Sequence, residues 1–240
     1  MTAKTKAPVL ALETSSPILG VAVRAGDGRI IEETLEGYSK HAENLLPMIE
    51  QALKKAGLAV EDIGTFLIGR GPGSFTGLRV GFATLKAFRI LSSKPCLGAL
   101  SLDIIAEAVP CGDLSHLGVC LDAHRDKIYT RLYKKTGAAW QPAAAPKLTH
   151  FNDWMKEWPG PLYLAGNALT AYKEVLEKAE NDRAVPLPET YAVPRAASLI
   201  RIFEKNSSVL TQLETPHDFV PYYLRLSEAE ERAGHHAPAC

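Results

Sequence analysis

The 240-residue chain balances 27 lysines and arginines against 27 aspartates and glutamates, a neutral total that argues against a protein gripping a phosphate backbone on its own. Its 46% hydrophobic content suffices for one large core or two modest ones. No apolar run approaches the roughly 20 residues of a membrane span, and the polar stretch Met1 to Ala7 leads into no signal-peptide core, so the expectation is a soluble, cytoplasmic protein with no membrane role.

The first elements read as a strand meander. Val9 to Leu12 and Ile18 to Val23 are rich in branched apolar residues and broken by Thr14-Ser15-Ser16-Pro17, and the turn Gly26-Asp27-Gly28 leads to a third strand over Arg29 to Leu35. From His41 to Ala56, Leu45, Leu46, Ile49 and Leu53 fall on one helical stripe with Glu43, Glu50, Lys54 and Lys55 opposite, and Gly57 is the expected stop. Thr65 to Gly69 is a short strand. The loop Gly69 to Gly77 then opens a second helix of about four turns ending near Ser92. Pro95 to Leu97 predicts a strand, and Ser101 to Ala108 a helix closed by Pro110.

The pattern then restarts: Leu117 to Leu121 ends in Asp122 as Val9 to Leu12 ends in Glu13, and Lys127 to Tyr133 is the return strand. Leu162 to Ala165 is a strand, Gly166-Asn167 a turn, Leu169 to Ala179 a helix, and Arg195 to Lys205 another helix. The Pro-rich stretches Ala138 to Pro146 and Val185 to Pro194 read as loops, and the tail from Ser227 to Cys240 as mobile.

Two copies of a meander followed by helices and strands describe an α/β, duplicated ribonuclease-H-like, two-lobed fold of the actin, Hsp70 and sugar kinase superfamily. The expected lobes are 1-111, a shortened 112-226 and the tail 227-240. In that architecture the turn after each lobe's first strand faces nucleotide phosphates, since turn amides and small hydroxyls cradle anions. Glu13, Thr14 and Ser15 occupy the first such turn and Asp122 the second, and the later turn Gly166-Asn167 is a further phosphate candidate. Such residues also commonly satisfy their own turn amides, and both readings stay open here.

Cys96, Cys111, Cys120 and Cys240 lack paired metal spacing, so no metal is expected and the thiols are read as reduced. Neither Ser74 nor Ser101 shows the histidine and carboxylate partners of a peptidase nucleophile. The loop Gly71 to Gly77 lacks a P-loop lysine and reads mainly as a tight turn that lets the following helix pack closely.

On that helix Leu78, Gly81, Phe82 and Leu85 lie to one side and Val80, Ala83, Ala87 and Leu91 to the other, while Arg79, Lys86 and Arg89 share one wedge. One buried face does not account for so much apolar surface. The candidates for a partner interface are Leu78, Arg79, Gly81, Phe82, Leu85, Phe88 and Arg89, with a helix sandwiched inside its own domain as the alternative.

The segments Leu10-Ala11-Leu12-Glu13-Thr14-Ser15 and Gly71-Pro72-Gly73-Ser74-Phe75-Thr76-Gly77-Leu78-Arg79-Val80-Gly81 resemble the TsaB (YeaZ) family of the glycoprotease-like group. Asp122-Ala123-His124-Arg125 with Ile128-Tyr129, Val193-Pro194-Arg195-Ala196 and Pro221-Tyr222-Tyr223-Leu224-Arg225 follow in the family's order. The resemblance implies a non-catalytic subunit in threonylcarbamoyladenosine modification of tRNAs reading codons that begin with A. It implies binding to TsaD, a second partner in the ATPase TsaE, a homodimer when alone, and tRNA contact only through the complex. TsaD binds its metal through a His-x-x-x-His motif; Ser101 and Ile105 stand at the matching places here, so neither a metal nor catalysis is expected. No tightly bound cofactor is implied, only weak or interface-shared ATP or ADP. The alternatives are a standalone ATP-dependent small-molecule kinase of the same superfamily and a peptidase.

Overall fold

The structure, a computed structural model, describes residues 6–37, 40–113, 115–157, 161–178 and 184–224. The chain divides into two units, Met1–Ile104 with Pro194–Pro221, and Ile105–Val193 with Tyr222–Cys240.

The first unit is built on strands β1 (Val9–Glu13), β2 (Ile18–Arg24), β3 (Ile30–Glu36), β4 (Thr65–Gly69), β5 (Cys96–Ala99) and β12 (Thr211–Gln212). Their order is β12-β5-β4-β1-β2-β3, with β1, β4 and β5 parallel and β2, β3 and β12 antiparallel to their neighbours. This is the ribonuclease-H-like pattern.

Because side chains alternate across a strand, β1 feeds two cores. Leu10 and Leu12 point into one with Val21, Val23, Phe66 and Ile68; Val9 and Ala11 point into the other with Ala22 and Leu67. Helix α1 (His41–Ala56) covers the first face with Leu45, Met48, Ile49, Ala52 and Leu53, and it ends at the left-handed Gly57 as its sequence predicts. Helix α2 (Phe75–Ser92) adds Phe82 and Leu85 to that face. The opposite face is covered by α7 (Ala196–Glu204), through Ala196, Leu199, Ile200 and Ile202. Each large aliphatic side chain buried this way contributes about 1.5–3 kcal/mol.

The second unit repeats the scheme on β6 (His116–Asp122), β7 (Lys127–Thr136), β8 (Ala139–Pro142), β9 (Lys147–His150), β10 (Leu162–Ala165) and β11 (Ala184–Pro186). Their order is β11-β10-β6-β7-β8, with β9 also pairing β7; β10 runs parallel to β6 as β4 does to β1. One face is covered by α4 (Phe151–Glu157), whose Phe151 and Trp154 pack with Cys120, Ile128, Leu162 and Leu164. Gly118 makes this possible: a Cβ there would collide with the Trp154 ring.

Several expectations need correction. The residues from 194 to 221 belong to the first unit and not to a second lobe over 112-226, because α7 carries the apolar stripe that closes the first sheet and β12 hydrogen-bonds β5. The first boundary falls inside α3 (Ser101–Ala108), between Ile104 and Ile105, and not at 111. The helix expected from Leu169 is two, α5 (Ala168–Ala171) and α6 (Lys173–Lys178), since Tyr172 leaves helical backbone where its ring stacks on Phe151 at 4.5 Å. Strands β8 and β11 replace expected loops. The tail 227-240, with Cys240, lies outside the described residues. No helix among the described residues is long and apolar enough to cross a membrane.

Candidate functional site

The two turns singled out from sequence both form, in opposite settings. In the first, Glu13, Thr14, Ser15 and Ser16 are all buried. The covering element is the start of α2: Ser74 N–H donates to the Ser15 carbonyl at 2.7 Å, and Ser74 caps the helix by accepting from Gly77 N–H at 3.2 Å. A Cβ at Gly73 would run into the Ser15 backbone, one at Gly77 into the Thr14 carbonyl, and one at Gly81 into the Thr14 hydroxyl. The helix therefore sits directly on the turn because three glycines, four residues apart, have no side chains on that side.

From the other directions, Ser101 Oγ donates to Ser15 Oγ at 2.7 Å, and the buried His41 ring lies 3.1 Å from the Ser16 carbonyl and 3.2 Å from that of Gly37. His41 ties α1 to the turn, a role its sequence position does not disclose. Glu13 Oε1 accepts from Ser15 N–H at 2.7 Å, while Oε2 and the Thr14 hydroxyl are buried without hydrogen-bond partners. Burial lifts the Glu13 carboxyl from its ordinary 4.5 to about 7, opposed by the Ser15 hydroxyl and N–H and by the Thr14 N–H.

The second turn stands half open. Asn167 Oδ1 accepts from Asp122 N–H at 3.0 Å, so Asp122, Gly166 and Asn167 do converge. Asp122 Oδ1 accepts from His124 N–H at 2.7 Å, and the His124 ring, largely exposed, lies 3.3 Å from Asp122 Oδ2. Gly166, at φ +108, has its Cα against the Cys120 backbone. His124, Arg125 and Asp126 all have positive φ, between 54° and 59°, a costly run for residues with side chains.

The α2 candidates divide differently from the expectation. Leu78, Gly81, Phe82 and Leu85 are buried against their own sheet and turn, Phe88 stacks on Phe66 at 5.0 Å, and Arg89 Nη1 donates to the Ser93 carbonyl at 2.6 Å and closes its own helix end. They face inward because the glycine side of the helix is the only one that fits over the turn. Arg79 remains outward, over the Phe75 ring. The outward row is Ala83, Ala87, Ile90 and Leu91, of which Ile90 is 80% and Leu91 84% exposed, while Val80 is half-buried against the core. On α1, Leu46 is also exposed.

No group of three or more histidine, cysteine, aspartate or glutamate side chains among the described residues is placed to hold a metal; at the Ser101 and Ile105 positions the first is hydrogen-bonded to Ser15 and the second fully buried. Burial pushes the thiols of Cys96 and Cys120 up to about 11 and about 12, which makes both poor nucleophiles.

A family model described as tRNA N6-adenosine threonylcarbamoyltransferase, TsaD, matches residues 36–233. The chain is 25% identical to the tRNA threonylcarbamoyladenosine biosynthesis protein TsaB of Bacillus subtilis over 93% of this chain and 96% of that one. It is 30% identical to an uncharacterized protein of Mycobacterium tuberculosis over 94% and 95% of the two chains. Among solved structures, YeaZ from Pseudomonas aeruginosa superposes with a TM-score of 0.74 at 23% identity, over 91% of this chain and 100% of that one, and so shares the fold.

Proposed function

The chain belongs to the TsaB (YeaZ) family of tRNA threonylcarbamoyladenosine biosynthesis proteins, and from that premise we propose that it is a non-catalytic subunit that docks on and activates TsaD through the outward face of α2. Its role lies in threonylcarbamoyladenosine modification of tRNA. The observation that carries the docking reading is the Ala83, Ala87, Ile90 and Leu91 row, an apolar ridge facing water on a helix whose other side already fills the core. Contiguous exposed apolar surface of this kind marks interaction sites.

Helix α2 contains no acidic residue, and Arg79 and Lys86 flank the ridge, so the complementary surface is an apolar one with an acidic border. On this reading TsaD contributes the metal and the transfer chemistry, consistent with Ser101 and Ile105 at the metal-motif positions. TsaE is the further partner, and a homodimer of the isolated chain competes for the same face. Contact with tRNA comes through the complex, in keeping with 27 basic against 27 acidic residues. The sealed first turn supports the absence of tight nucleotide binding, and the half-open second turn is where weak or shared ATP or ADP fits. The complex acts in the cytoplasm.

The test is Leu91→Glu beside Leu85→Glu, with melting curves, TsaD capture and a tRNA modification assay. Leu91→Glu changes stability by less than about 0.5 kcal/mol, as surface substitutions do. It lowers TsaD capture and modification at least about tenfold, since a carboxylate without a partner is desolvated at the interface. Leu85→Glu, placing the same charge in the core, costs several kcal/mol and unfolds the unit. Full TsaD capture by folded Leu91→Glu removes α2 from the interface.

A further inference from the structure

We propose that the Glu13 side chain is a proton-operated latch, which seals the β1–β2 turn beneath the leading end of α2 while neutral and loosens that seal when it ionises. The geometry is of a carboxyl group enclosed on every side. Glu13 is 0% exposed. A Cβ on Gly69 would collide with the carboxyl, which therefore lies against the β4 backbone, and the Gly20 site opposite on β2 is bounded by Ala196 of α7 and the Glu13 Cβ. One carboxyl oxygen receives Ser15 N–H; the other, like the neighbouring Thr14 hydroxyl, is buried without a partner.

Among the titratable and charged groups on the surrounding elements are Arg70 after β4, Asp103 on α3, His41 on α1 and Arg195 at the head of α7. Arg195 is held by Glu32 at 2.9 Å, His41 by the carbonyls of Gly37 and Ser16, and the Arg70 stem packs over Gly98. Buried Asp103 adds no positive charge. No cation is among the contacts that set the proton affinity of Glu13; burial raises it to about 7, and only the Ser15 and Thr14 groups oppose it. A carboxylate here is an unpaired buried charge, so a deprotonated Glu13 gains by letting water in. The contacts that must give way are those of the turn itself, Ser74 N–H on the Ser15 carbonyl and the glycine contacts of Gly73 and Gly77. The latch therefore sets how firmly the leading end of α2 is held on its sheet.

The experiment is a carbon-detected NMR titration of the glutamate carboxyl groups of the full chain from pH 5 to 9, with amide hydrogen exchange at Ser74 and Gly77 across the same range. One carboxyl resonance, absent from Glu13→Gln, titrates near pH 7. Protection at Ser74 and Gly77, corrected for base catalysis, falls about tenfold between pH 6 and 8 in the wild type, as one ionisation with its midpoint between them requires, and stays level in Glu13→Gln. A Glu13 midpoint in the ordinary carboxylate range overturns the proposal, and so does protection that is flat in the wild type or falls equally in the variant. If Glu13→Gln does not fold, the wild-type midpoint and exchange profile decide alone.

Discussion

The turns at Glu13 and Asp122 end the first strand of each unit, yet one is sealed and the other stands at the surface. The difference lies in the segments further along the chain that reach each turn. After β4 the first unit has Gly73, Gly77 and Gly81, which let a five-turn helix settle onto the turn, whose amide and carbonyl groups are used internally. After β10 the second unit has Gly166 and Asn167 and then four-residue α5, and the side chain of Asn167 hydrogen-bonds the Asp122 backbone. The same fold position thus becomes a fastening in one copy and an exposed loop in the other. For an acidic turn of this kind, the glycine count of the segment packed on it decides which.

Breaking the fastening gives the largest expected effect. Gly77→Ala drives a Cβ into the Thr14 carbonyl, and its loss of about 4 kcal/mol exceeds the roughly 1 kcal/mol that alanine returns in helix propensity. Urea melts measure it, and near-wild-type stability would show that the turn is not filled as described.

Next comes the pH dependence of the sealed turn. Unfolded, Glu13 releases its proton near 4.5; folded, near 7. Between those values the folded state holds the proton more tightly, so the stabilisation is complete below pH 4.5 and is lost as pH rises through 7. At about 1.4 kcal/mol for each tenfold change in affinity, that loss is on the order of 3 kcal/mol. Melting curves at pH 5 and 8 read it, and Glu13→Gln removes that part of the difference.

The open turn responds less. Asn167→Ala removes one half-exposed acceptor, which water replaces in part, and costs about 1 kcal/mol in a thermal melt. Asp126→Gly, which relieves one of three consecutive positive-φ residues while keeping the carbonyl that His150 Nδ1 contacts, gains about 0.5 kcal/mol. A loss of stability would mean that the Asp126 side chain holds the loop.

The sequence discloses most of this fold where patterns run long. The meander, α1 and β4 follow from alternation and from the 3.6-residue stripe, and Gly57 ends α1 as read. Strands β11 and β12, of three and two residues, are too short to carry a period, and β8, ending in Pro142, exists by pairing with β7. The two apolar sides of α2 are legible, but not which one is inward, since Leu78, Phe82 and Leu85 look like Ala83, Ala87 and Leu91 in apolar character. The glycines at 73, 77 and 81 carry that information: small residues every fourth position mark the side of close approach. His41 carries no such signal, because its neighbours include a turn residue twenty-five positions earlier.

Helix α7 has a further consequence for how the molecule is made. The sheet face formed by Val9, Ala11, Ala22 and Leu67 is closed by residues that lie after 194 in the chain. During synthesis from the N-terminus, that face emerges early and waits while the whole of 105–193 is translated, about 4–18 seconds at elongation rates of about 5–20 residues per second. The second sheet can pair in that interval from contiguous chain. The sheet that begins first is thus covered only after the strands of the second have been made, and a nascent chain halted before α7 presents the ribosome's surroundings with an uncovered apolar sheet face.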